Sequence, residues 1–120
     1  MDLNEFADRY VAVWNERDPE KRRRRVAELW IPEGEHYVES RKVVGYGDLE
    51  RRVRESHDEF VRDAGNHFRA VPGARQEGDV VTFYWEMLPA DGDSVLGKGL
   101  EFVILSAGGK ITRDYQFYPA

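Results

Sequence analysis

A chain of 120 residues is about the length of one domain, enough to bury one core and too short for two, so no linker is expected. Hydrophobic residues at 41% and charged residues at 34% describe a globular chain with a well-charged surface and exclude a disordered one. A net charge of -5 disfavours contact with nucleic-acid backbones, and the absence of cysteine excludes disulfides, thiolate metal sites and a cysteine nucleophile, which fits a cytoplasmic setting.

The first residues, Met1-Asp2-Leu3-Asn4-Glu5, lack a basic stretch followed by an apolar one, and no run of about 18 apolar residues occurs, so neither export nor membrane spanning is expected. Over residues 3–14, Leu3, Phe6, Ala7, Tyr10, Val11 and Trp14 recur at the spacing of one helical face, with Asp2 and Glu5 placed as a capping box. Asp18 then reads as an N-cap with Pro19 at the first helical position. Val26, Leu29 and Trp30 form the buried stripe of this second helix, which Pro32 is expected to stop. A short strand over residues 36–39 and a second extended piece, Val43-Val44-Gly45, precede a third helix opened by Gly47-Asp48. That helix carries Leu49, Val53, Phe60, Val61 and Ala64, and Gly65 is placed to cap it.

After Gly65 the period changes from helical to alternating. Strands are expected at roughly 67–76, 79–88, 95–106 and 110–118, with turn signals at Glu77-Gly78-Asp79, Asp91-Gly92-Asp93 and Ala107-Gly108-Gly109. Three helices followed by antiparallel hairpins form the α+β pattern, with the helices covering one face of a curved sheet. Alternation assigns the faces: Gly99, Glu101, Val103 and Leu105 share one side, and Leu100, Phe102 and Ile104 the other. On the preceding strand Phe83, Trp85 and Met87 form one set. On the last, Thr112, Asp114, Gln116 and Tyr118 oppose Ile111, Arg113, Tyr115 and Phe117.

The segment Asp8-Arg9-Tyr10-Val11-Ala12-Val13-Trp14-Asn15-Glu16-Arg17-Asp18 resembles the first helix of ketosteroid-isomerase-like and SnoaL-like proteins. Trp30 at the end of the second helix, the strand Gly34-Glu35-His36-Tyr37-Val38-Glu39 and the hairpin over residues 100–111 extend the resemblance across nearly the whole chain. It implies the cone of the nuclear transport factor 2-like (NTF2-like) superfamily: three N-terminal helices packed on a curved antiparallel β-sheet with a mixed edge, around an apolar cavity, commonly in a homodimer. Such proteins include isomerases, polyketide cyclases, dehydratases, epoxide hydrolases and non-enzymes, so the fold does not choose the function.

The resemblance also implies site residues. Glu101 stands where the isomerase holds a protonated, pocket-facing acid, and Tyr10 falls on its oxyanion-hole tyrosine. Asp114, Gln116 and Tyr118 are then expected to face the cavity beside Phe83, Trp85, Met87 and Val103. The isomerase has its base, an aspartate followed by proline, at the end of the first strand; here Val38-Glu39-Ser40-Arg41 stands there, with either Glu39 or Ser40 as the counterpart. Steroid isomerisation is therefore not expected.

Two carboxylates in one apolar cavity cannot both ionise cheaply, so Glu101 and Asp114 are expected to separate into an acid and a base, with Tyr10 holding a developing oxyanion. Trp14, Trp30, Phe60, Phe83, Trp85 and Met87 are expected to shape the cavity for a small apolar or amphipathic molecule. The alternative is a non-catalytic binding or dimerisation module in which each acid is a hydrogen-bonded wall residue. His36, His57 and His67 show no metal-ligand spacing and are expected at the solvent, although His57 shares a helical row with Val53, Phe60 and Val61 and can face the pocket. The run Lys21-Arg22-Arg23-Arg24-Arg25 fans around its helix at about 100° per residue and forms no single face. A solvated surface with Arg24 paired to Glu20 and Glu28 is expected, rather than nucleic-acid binding. No phosphate-cradling loop, dinucleotide fingerprint or metal motif is present, so neither cofactor nor metal is expected.

Overall fold

The computed structural model describes residues 1–119. Helix α1 (Leu3–Asn15) begins where the Asp2 side chain accepts the Glu5 backbone N–H at 3.1 Å. Helix α2 (Pro19–Leu29) is capped by Asp18, which accepts the N–H groups of Glu20 and Lys21. It ends at Leu29 rather than at Pro32. Trp30 opens strand β1 (Trp30–Val38), and Pro32 lies inside that strand. A residue without an N–H is tolerated there because pairing with the last strand is interrupted between Trp30 and Glu35.

Strand β2 (Arg41–Val44) folds back on β1 through the two-residue turn Glu39-Ser40, whose φ angles of 48° and 65° are both positive, as a tight hairpin of this kind requires. Helix α3 (Gly45–Ser56) starts two residues before Gly47. It widens into a π-helical stretch, His57–Asp63, before Gly65 closes it at φ 73°. After this change of pitch Ala64, assigned to the apolar stripe by a regular helical count, lies exposed.

The remaining strands are β3 (Asn66–Ala70), β4 (Arg75–Glu77), β5 (Val80–Pro89), β6 (Gly97–Leu105) and β7 (Ile111–Phe117). The single strand expected over 67–76 is two pieces, broken where Pro72 offers no donor and Gly73 takes φ 107°. The sheet order is β2-β1-β7-β6-β5-β3, with β4 beside β5. Neighbours are antiparallel except β1 and β7, so the mixed pairing lies inside the sheet and not at its edge.

Helix α1 covers the inner face: Phe6 and Tyr10 meet the Phe83 ring at 6.4 and 5.3 Å between centroids, and Tyr10 meets Trp30 at 5.5 Å. Alternation on β6 buries Glu101, Val103 and Leu105 and exposes Phe102. On β7 the alternation slips. Pairing jumps from Ile104↔Arg113 to Leu105↔Ile111, which bulges Thr112 and brings Ile111 fully into the core although its set faces outward. The basic run of α2 also departs from expectation, because Arg22 is buried against Glu50 at 3.7 Å. Glu20 pairs with Arg23 and Glu16 with Arg25, neither with Arg24. Among the described residues no helix is long and apolar enough to cross a membrane.

Candidate functional site

Between α1, α3, the π-helical stretch and the inner face of β5, β6 and β7 lies a cavity of about 310 Å³, at the small end of the range for ligand sites. Trp14, Phe60, Trp85, Met87, Gln116 and Tyr118 line it. The tight turn after β1 brings Glu39 onto the wall at an exposed position, and Ser40 is not part of that wall. Tyr10 and Glu101 are the most deeply buried of the lining residues.

Glu101 projects inward from the middle of β6 and has no solvent exposure. Trp85 Nε1 donates to its Oε1 at 2.9 Å, and the Tyr10 hydroxyl lies 3.3 Å from its Oε2. A glycine makes this possible. The Trp85 indole lies across Gly99, where a Cβ would fall 1.9 Å from the ring.

Asp114 stands behind this pair on β7. Its Oδ2 accepts the Tyr10 hydroxyl at 2.6 Å and lies 2.8 Å from His36 Nδ1; its Oδ1 accepts Trp30 Nε1 at 3.0 Å. His36 meets Asp114 because the two residues are register partners across the parallel β1–β7 pair. Since a carboxylate only accepts, His36 Nδ1 carries the proton that it donates.

Several expectations change here. Asp114 is not on the cavity wall, because Tyr10 and its other donors enclose it. Trp30, Phe83 and Val103 also lie behind the wall: Trp30 holds Asp114, Phe83 packs edge-on against Tyr10, and Val103 pairs with Asp114 in the sheet core. His57 is buried but faces a separate crevice with Arg17 and Arg22, its Nδ1 3.2 Å from the Trp14 carbonyl. His36, expected at the solvent, is completely buried. The signal for it was the alternation Gly34, His36, Val38, all buried on one side of β1.

The electrostatics follow from this burial. Burial pushes Glu101 well above the usual carboxylate range and neighbouring Asp114 pushes it further, outweighing the donors Trp85 and Tyr10 and the charge of Arg52. The Tyr10 phenol is likewise raised, by burial first and then by the two acids. Tyr10 has one hydrogen and two acceptors. With that hydrogen on Asp114 at the shorter distance, the 3.3 Å contact is completed by a proton on Glu101.

Several wall residues escaped the sequence reading, among them Ser56, Lys98 and, half-way along α3, Arg52. Arg52 reaches the cavity from α3 in the same row as Ser56 and Phe60, and its guanidinium lies 5.1 Å from the centre of the Trp14 ring. Counting back from Phe60 in fours was the signal available. Among the described residues no group of three or more His, Asp or Glu side chains is arranged to hold a metal ion.

No protein-family model matches the chain, and no curated protein matches it. Solved structures do. A SnoaL-like family protein from Agrobacterium tumefaciens, described as a candidate isomerase, superposes with a TM-score of 0.87 at 24% identity, covering 100% of both chains. An NTF2-like protein of unknown function from Exiguobacterium gives 0.72 at 21% identity over 95% of this chain and 98% of that one. A candidate polyketide cyclase from Sinorhizobium meliloti gives 0.66 at 15% identity over 98% and 97%. At these identities the likeness is one of fold, and the chain has the α+β fold of the NTF2-like and SnoaL-like proteins.

Proposed function

We propose that the chain binds a small, largely apolar carbonyl compound and transfers a proton on it without a cofactor. The observation that carries this reading is Glu101 itself, a fully buried carboxyl on the wall of an aromatic cavity, whose pKa burial and neighbouring Asp114 raise. In its neutral form such an acid turns its one hydrogen from Tyr10 to a substrate oxygen, and the bond strengthens as negative charge develops there. Glu39, the other carboxylate on the wall, is the group positioned to take a proton from carbon at the cavity mouth.

Tyr10 serves Glu101 rather than the substrate. When Glu101 gives up its proton, the Tyr10 hydrogen turns from Asp114 toward Glu101 Oε2, where it joins the Trp85 N–H in stabilising the new carboxylate. Asp114 keeps His36 and Trp30 as donors during that exchange. A homodimer through the outer sheet face, where Tyr84, Phe102 and Phe117 are exposed, and a reducing cytoplasmic setting for a chain without cysteine complete the reading.

The test is solvent deuterium uptake. A panel of small aryl and alkyl ketones in D2O is expected to exchange at the carbon next to the carbonyl with the native protein, and Glu101→Gln or Glu39→Gln is expected to slow the exchange by roughly 100-fold. Native exchange no faster than that of the Glu101→Gln variant across the panel rejects catalysis. It would favour the second reading, binding without turnover, which the enclosure of Asp114 away from the cavity supports.

A further inference from the structure

Arg52 is 9% exposed and lies on the cavity wall, yet its Nε has no hydrogen-bond partner, and none of the ion pairs among the described residues includes it. Every nearby acid is otherwise engaged or distant. Glu101 is held by Trp85 and Tyr10, Asp114 is enclosed by three donors, and Glu39 is exposed at the mouth. Glu50, two residues earlier on α3, pairs with Arg54 and Arg22 instead. A guanidinium on a residue nine-tenths buried, with its Nε shut off from any acceptor and no anion paired to it, is a costly arrangement in a folded chain, and a structure retains it where something else supplies the charge.

A second donor points the same way. Trp14 Nε1 is also buried without an acceptor, on the ring over which Arg52 lies, and Trp14 is a wall residue of the same cavity. The remaining wall is mainly aromatic, with Phe60, Phe68 and Trp85 able to enclose an apolar body. Two unfilled donors beside an apolar wall describe an amphipathic ligand with an anionic head.

We propose that the cavity takes a small, largely apolar carboxylic acid in its ionised form, with the Arg52 guanidinium holding the carboxylate while the apolar part lies against Phe60, Phe68 and Trp85. The planar guanidinium fork matches a carboxylate, and a cavity of about 310 Å³ limits the ligand to a small molecule. The inference deepens the pocket reading above. It rests on the cavity being a ligand site and not on turnover.

The test compares cinnamate with cinnamamide, its neutral isostere, by isothermal titration calorimetry. The native protein is expected to bind cinnamate at least tenfold more tightly. Arg52→Gln is expected to abolish that preference, and Arg52→Lys to keep part of it. Equal affinities in the native protein, a preference that survives Arg52→Gln, or binding of neither compound overturns the proposal. Should Arg52→Gln fail to fold, the Nε–H resonance of Arg52 in the native protein gives the same answer: it shifts with cinnamate and not with the amide if the proposal holds, and stays still with both if it does not. Exchange by the native protein separates the two readings. Cinnamate preference in a native protein whose deuterium exchange is no faster than that of Glu101→Gln rejects catalysis and leaves the carboxylate site standing.

Discussion

The Tyr10 hydroxyl lies 2.6 Å from Oδ2 of Asp114, and its single hydrogen is therefore already given before any ligand arrives. That relationship orders the whole site: Asp114 is the permanent acceptor, Tyr10 the link, and Glu101 the group that meets the cavity. Tyr10→Phe deletes the link and leaves a buried carboxylate short of one of its three donors. The expected cost is about 1–3 kcal/mol of unfolding free energy, read from urea denaturation. A change within a few tenths of a kcal/mol would mean that the hydroxyl is not bonded as described.

Stability should depend on pH through Glu101. Its folded-state pKa is raised above the unfolded one, so its contribution is fully present below the ordinary value of about 4.5 and is lost as pH climbs toward the folded value. Glutamine mimics the neutral acid at every pH. Glu101→Gln is therefore expected to gain on the native protein as pH rises from 4 to 8, in denaturation at matched pH. A constant difference across that range contradicts a protonated Glu101.

Gly99 should be intolerant of any side chain. A Cβ there falls 1.9 Å from the Trp85 indole, so Gly99→Ala must displace the ring that donates to Glu101. The expected loss is about 1–3 kcal/mol, with altered Trp85 fluorescence marking the movement. An unchanged emission spectrum and melting temperature would show that the ring does not lie across the glycine.

The outer face of the sheet carries Phe102 and Phe117, 5.9 Å apart between ring centroids and both substantially exposed, with Tyr84 also exposed there. If that face joins two copies, sedimentation should show a dimer of the 14.0 kDa chain, and Phe102→Lys should shift it to monomer without unfolding it. A native monomer at high concentration removes the dimer from the account.

The parts of this site that were legible in the sequence are those governed by local periodicity. Period-two alternation on β6 put Glu101 on one face with Val103 and Leu105, the family resemblance made that the pocket face, and helical spacing put Tyr10 and Trp14 on one face of α1. What was hidden depended on pairing across the sheet. His36 reaches Asp114 only through the parallel β1–β7 register, a contact 78 residues apart in the chain that no local pattern announces. Trp30 was misassigned for a related reason: Pro32 is an ordinary helix stop, and nothing local shows that the strand starts earlier and carries the proline in an unpaired stretch. Arg52 was overlooked because an arginine on an amphipathic helix ordinarily belongs to the solvated face. The enclosure of Asp114 behind Tyr10 needed side-chain positions, since alternation gives a direction and not a depth.

The most direct test of the site is the titration of the Glu101 side-chain carboxyl, followed by carbon NMR in protein labelled at glutamate and assigned with Glu101→Gln. The expected result is a Glu101 signal that stays in the protonated position after the exposed glutamates have ionised, and that titrates at lower pH once Asp114→Asn removes the neighbouring charge. A Glu101 signal that moves together with the exposed glutamates, near pH 4.5, would contradict the account at its centre.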